Sequence, residues 1–297
     1  LMLKVGLADA IDIDGMDDLS GRAKSYALRA HLDFLMVDTA TGLGRFAVEL
    51  DGRQHWNDHR TRERDRLKND LCARAGLPLL RITSNFARKI GCWPVLTYLT
   101  DAFYLSESFH ETQERGDIPF DESFDIQNFF EFDASGRVTF RATDLRVRQA
   151  LREHCYAGRL PAPCPDLFCT KLVDEGAVQA HAWMSVAPDR YLISKVEVRD
   201  FQFPGIAPFE LLEQLAMGEI GELVDQWFRG EGVAQNGRDL GKAVGEVQEA
   251  IDAVGRTERI VYGPALKAGD TSAVLRFPSG NLHLPYGGNV SAGTYGD

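Results

Sequence analysis

The sequence predicts an α/β protein, and three observations carry that prediction. Residues 31–37 and 45–51 alternate apolar and polar side chains as half-buried strands do, and Gly42 and Gly44 between them suit a reversal into an antiparallel pair. A highly polar stretch over residues 57–75 reads as a helix ending at Gly76, and the apolar run 77–82 follows it as another strand. Beyond these, strand-like and helical segments interleave over residues 127–259 without an internal repeat, which predicts a second, mixed α+β domain.

Taken in order, residues 1–30 give a short strand or turn near Leu3 and then a polar connection rich in Asp and Gly. Strand 31–37 places Leu32, Phe34 and Met36 on one face and Asp33 on the other. Strand 45–51 sets Phe46, Val48 and Leu50 against Ala47, Glu49 and Asp51. One face is anchored and the other carries charge. An acidic residue within an apolar run is costly unless solvated, paired or metal-bound, so Asp33, Glu49 and Asp51 are expected to converge at one edge of a small sheet. The polar helix would pack through Leu67, Leu71 and Ala75. A further helix over 92–105, starting near Pro94, closes a first domain at residues 1–105.

Residues 106–135 hold nine acidic side chains against the single Arg115, whereas residues 49–89 hold ten Arg or Lys and six Asp or Glu, a local net of +4. That change of sign marks residues 106–126 as an acidic linker. In the second domain the pattern predicts two short strands around residues 133–136, a helix over 145–154, strands over 178–186 and 190–203, and helices over 208–228 and 240–254. Residues 161–169 look loop-like. Residues 260–297 form a Gly/Pro-rich C-terminal segment with high turn content.

Composition narrows the function. With 44% hydrophobic and 26% charged residues the chain is ordinary for a soluble protein, and its net charge of −11 opposes broad attraction to nucleic acid or an anionic membrane. Nucleic-acid contact must therefore be local. No apolar run approaches the length of a membrane span, no signal segment opens the chain, and five scattered cysteines lack a disulfide pattern. A cytoplasmic setting with no membrane partner is expected. The chain starts at Leu1 rather than at a methionine, which reads as an N-terminally truncated piece of a longer protein.

The residues His31-Leu-Asp-Phe-Leu, then Phe46-Ala-Val-Glu-Leu-Asp-Gly-Arg-Gln-His, then Arg64-Asp-Arg-Leu-Lys-Asn and Ala75-Gly-Leu-Pro-Leu-Leu-Arg-Ile together resemble the PD-(D/E)XK nuclease superfamily. They are most similar to a branch of largely uncharacterised bacterial domains related to very-short-patch-repair-type endonucleases. The resemblance covers about residues 1–90. It implies a restriction-endonuclease-like mixed sheet flanked by helices, with Asp33 as the first metal-binding aspartate and Glu49 as the acidic residue of the second motif. Asp51 stands where the usual pattern has lysine. The related branch shares that departure and often uses an acidic residue with a nearby histidine, here His55; Lys68 resembles the lysine that has migrated to the following helix in other members.

The chemistry expected of such a site is phosphodiester hydrolysis, which needs a nucleophilic water, charge stabilisation on phosphorus and help for the leaving oxygen. Asp33, Glu49 and Asp51, with the Leu50 carbonyl, form an all-oxygen set suited to Mg²⁺ or Mn²⁺. His55 could accept a proton from water and Lys68 could stabilise the phosphate. Arg53, Arg60, Arg64 and Arg81 would contact the nucleic-acid backbone, and Asp65 could orient Lys68 or His55. DNA is favoured over RNA by the resemblance. The alternatives are a non-catalytic nucleic-acid-binding module on a nuclease-like scaffold, or a regulatory protein whose second domain engages a protein partner.

A second cluster, Cys155, Cys164 and Cys169 with His181, has the residue types of a structural Zn²⁺ site. Its spacing is looser than the usual ligand pairs, so free cysteines packed in the fold are the better reading. The aromatics Phe201, Phe203, Trp227 and Phe228 are read as core.

Overall fold

The computed structural model describes residues 1–16, 18–51, 59–83, 92–172, 177–199, 203–254 and 259–261. The fold is α/β, and the chain divides into two compact units, Leu1–Cys92 with Phe201–Ala207, and Trp93–Asp200 with Pro208–Asp297.

The first unit contains β1 (Met2–Gly6), α1 (Leu7–Ala10), α2 (Gly21–Ala27), β2 (His31–Val37), β3 (Gly44–Asp51), α3 (His59–Arg74) and β4 (Leu79–Thr83). Its sheet runs β1-β2-β3-β4 and is mixed: β1/β2 and β2/β3 are antiparallel, β3/β4 parallel. The β2–β3 connection is set by Asp38, whose Oδ1 accepts the N–H groups of Ala40 and Thr41, while Gly42 takes φ +74°. Those backbone donors hold the Asp38 carboxyl below its ordinary range.

Helix α3 ends in a Schellman motif. Leu77 N–H donates to Cys72 O and Gly76 N–H to Ala73 O, with Gly76 at φ +66°. Leu77 and Cys72 thereby meet in the core formed by Leu7, Ile11, Leu35, Ala47 and Leu71. Ala75, expected to pack, is exposed, and Leu67 is only half-buried, because the buried stripe of α3 runs through Lys68, Leu71 and Cys72. Strand β3 also departs from expectation. Phe46, Ala47, Val48 and Glu49 are all buried, so both faces of this strand are covered and its charged face is internal. On the other face Phe203 meets Phe46 edge to face, with centroids 5.2 Å apart.

In the second unit, α4 (Cys92–Glu114) continues nine residues past the expected end at residue 105. Residues 106–126 are thus not an open linker: the first part is helical, and the Gln113 amide donates to the Pro119 and Glu122 carbonyls, tying the rest back. The acidic run marks a surface, and the break between units lies near residue 92. The hairpin β5 (Phe130–Phe132)/β6 (Val138–Phe140) precedes α5 (Thr143–Tyr156). Then β7 (Asp166–Leu172), β8 (Ala177–Ala187), β9 (Arg190–Arg199) and β10 (Arg259–Val261) build an antiparallel array in the order β9-β8-β7-β10. Helix α6 (Pro208–Arg229) buries Leu211, Leu212, Leu215, Met217 and Ile220, and α7 (Gly237–Val254) follows it.

Residues 161–165 are loop as expected, but β7 takes the last four residues, 166–169, of the loop expected over 161–169. Leu167, Phe168, Cys169 and Thr170 are all buried, a continuous covered run without the alternation that signals a half-exposed strand.

Candidate active site

Three elements of the first unit bring their polar residues to the covered face of β3. The β2/β3 register pairs Phe34 with Val48. One step beyond, carboxylates take the ladder's donors: Asp33 N–H donates to Glu49 Oε1 (3.1 Å), and Leu50 N–H donates to Asp33 Oδ2 (2.9 Å). The two acids are thus locked side by side by backbone groups. Across the parallel ladder Glu49 pairs with Arg81 and Asp51 with Thr83.

Helix α3 roofs this face. Asp65, Lys68, Asn69 and Cys72 recur at the i, i+3, i+4 and i+7 spacing that puts them on one side of the helix. Lys68 Nζ donates to Glu49 Oε2 at 2.6 Å and to the His31 carbonyl at 2.7 Å. Both side chains of that pair are about nine-tenths buried. Burial pushes the Glu49 carboxyl above its ordinary value, Lys68 opposes that rise, and Asp33 adds to it. The buried member of the acid pair, Glu49, is the one the ammonium meets, and Arg81 adds a second favourable charge.

Beside them lies a second ion pair. Arg81 is only 5% exposed; its Nη1 sits 3.2 Å from Asp65 Oδ1 and its Nε donates to Asn69 Oδ1 at 3.0 Å. Arg81, expected as a phosphate contact, is therefore an internal brace between β4 and α3. The cause is its register opposite Glu49, on the covered face. Tyr26 of α2 borders the group: burial carries its hydroxyl up to about 12, with Arg81 opposing and Glu49 and Asp65 reinforcing the rise. The Cys72 thiol is raised to about 11, again by burial. Tyr26 and Asn69 escape a reading of the sequence, although the helical spacing from Asp65 to Asn69 would have pointed to Asn69.

The remaining predicted residues are distributed as follows. Asp51 ends β3, and its side chain, like that of Arg60 in the first turn of α3, lies outside the described residues. Arg53 and His55 also lie outside them. Arg64 is exposed on α3 and close enough to Tyr26 to lower its pKa. Among the described residues no three His, Cys, Asp or Glu groups converge as metal ligands.

The donor types that are present fit a hard cation. Asp33 and Glu49 offer carboxylate oxygens from adjacent strands, and the buried Glu49 is short of the water that would otherwise solvate its charge. Asp33, Glu49, Asp65, Lys68 and Arg81 sum to one net negative charge, which a divalent ion would reverse rather than aggravate.

The cysteine-rich constellation in the second unit is not one site. Cys169 is opposite Ala180 and His181 is opposite Phe168 in the β7/β8 ladder, so Cys169 and His181 project to opposite faces. Cys155 and Cys164 are partly buried thiols, and burial raises the pKa of Cys164. His181 instead faces Glu246 of α7, with Nε2 3.3 Å from Oε2.

No helix among the described residues is long and apolar enough to cross a membrane. No curated protein and no solved structure matches the chain. Residues 1–90, the stretch that holds Asp33, Glu49, Lys68 and Arg81, match the model of a family described as "Protein of unknown function (DUF2726)".

Proposed function

We propose that the first unit is a divalent-metal-dependent nuclease of the PD-(D/E)XK type, hydrolysing phosphodiester bonds in DNA. The observation that carries this reading is the contact of Glu49 with both Asp33 and Lys68, since an acid pair and an ammonium from three elements meet at one point. Asp33 and Glu49 would hold Mg²⁺ or Mn²⁺, with Asp51 and the Leu50 carbonyl completing the set. A bound ion would supply an activated water and offset charge on the phosphate.

The chain's own residues supply the rest. The backbone donors of Asp33 and Leu50 fix the two carboxylates before any ligand arrives, which lowers the reorganisation needed in the reaction. Lys68 is the ammonium placed at Glu49, so it takes the role of the missing motif lysine. The Arg81–Asp65–Asn69 brace sets the distance between α3 and the sheet and so positions Lys68. Arg64 is exposed and is assigned to the nucleic-acid backbone, as are Arg53 and Arg60, while His55 remains the candidate proton acceptor. Four described cysteines are free thiols, in keeping with a reducing cytoplasmic setting.

The test is cleavage of single-stranded and duplex DNA and RNA with Mg²⁺ or Mn²⁺, comparing the intact protein with Asp33→Ala and Glu49→Ala. Loss of about 10³-fold or more in rate is expected for each; undiminished cleavage by the folded variants would reject the site. A second reading, a nucleic-acid-binding module without catalysis, is favoured by one feature: both Glu49 oxygens already have hydrogen-bond partners within the protein. Retained DNA binding with no cleavage under any metal would select it.

A further inference from the structure

Lys68 sits where competition with a metal is unavoidable. Its ammonium bonds Glu49 Oε2 and the His31 carbonyl, and its side chain is 10% exposed. From that position the ammonium cannot reach a phosphate in solvent. We propose that Lys68 is an internal counter-ion for Glu49 that a divalent cation displaces, so that metal loading is what releases the ammonium toward substrate. The proposal rests on the metal-binding reading above and adds an order of events to it.

The argument is electrostatic and geometric. A buried carboxyl stays ionised only with a compensating charge beside it, because an isolated carboxylate in a dry site is strongly unfavourable and takes up a proton instead. Lys68 supplies that charge before metal binds. A divalent ion brought to the same carboxylate would lie within a few ångströms of the ammonium, where like charges repel strongly in a partly desolvated site. One of the two must leave Oε2, and the lysine's four-carbon stem is the flexible partner. Arg81 opposite Glu49 cannot take its place, since Asp65 and Asn69 hold it.

The test measures Mn²⁺ affinity of the full chain by calorimetry and by Mn²⁺ electron paramagnetic resonance, neither of which needs turnover. Lys68→Met removes the charge at similar length, and Lys68→Arg retains it. Lys68→Met is expected to bind Mn²⁺ about tenfold more tightly than the wild type, while Lys68→Arg stays within about twofold of it. Equal or weaker binding by Lys68→Met overturns the proposal. Absence of Mn²⁺ binding by every protein overturns the metal reading and the proposal together, which separates the two failures. If Lys68→Met does not fold, the wild type decides: amine acylation of Lys68, read by mass spectrometry, is expected to rise several-fold on adding Mn²⁺, and an unchanged rate overturns the proposal.

Discussion

Buried charges at single residues make sharp demands on their partners. Asp65 neutralises an arginine that is almost wholly enclosed, so Asp65→Ala is expected to cost about 3–5 kcal/mol in urea unfolding, and Arg81→Met added to it should recover part of the loss. His181 makes a pH-dependent demand. Burial, with Lys195 reinforcing it and Glu246 opposing, lowers its pKa from 6.5 to about 4. The folded state therefore prefers the neutral ring, and stability is full above pH 6.5 and lost as pH falls from 6.5 toward 4, by roughly 3 kcal/mol. His181→Gln should flatten that part of the stability profile; an unchanged slope would assign it to other groups. At this scale Lys68 is marked by the resemblance, and Asp33 and Glu49 are legible in the sequence because an acid inside an apolar strand needs a partner. Arg81 is not, because its role depends on which residue of β3 it faces, and register is a property of two strands.

Among the elements, α3 shows what patterning reveals and hides. Its polar composition and terminal Gly76 announce a helix and its end, and the observed cap bears this out with Gly76 in the left-handed region. Gly76→Ala is expected to lower stability by about 1 kcal/mol, measured by thermal or urea denaturation. Polarity conceals that the helix covers charge with charge: Lys68 occupies the buried stripe alongside Leu71 and Cys72. The same ambiguity misleads at β3, where apolar and polar alternation resembles a strand with one wet side although both sides are covered. Strand β7 is hidden for the opposite reason, since a continuous buried run has no period to detect. Helix α2 is short; its one signal is Ser20, whose hydroxyl caps the Ala23 N–H.

For the whole molecule, the alternation of strands and helices identifies the α/β class, but not the way the first unit is completed. Residues Phe201–Ala207 belong with Leu1–Cys92, a return across more than a hundred positions that local composition does not encode. Phe203, 6% exposed and set against Phe46, anchors the return. Phe203→Ala should therefore destabilise the first unit by about 3–5 kcal/mol, read as earlier loss of protection in hydrogen exchange at β3 and β2. Unchanged exchange there would show that the ring is dispensable.

That late-arriving segment also bears on biosynthesis. A ribosome delivers Phe46 long before Phe203, so the nascent N-terminal part waits with the Phe46 ring lacking its aromatic partner until translation has passed residue 207. Asp33, Glu49 and Lys68 lie on the opposite face of β3 and come wholly from the first 68 residues, so their cluster can assemble before that segment emerges.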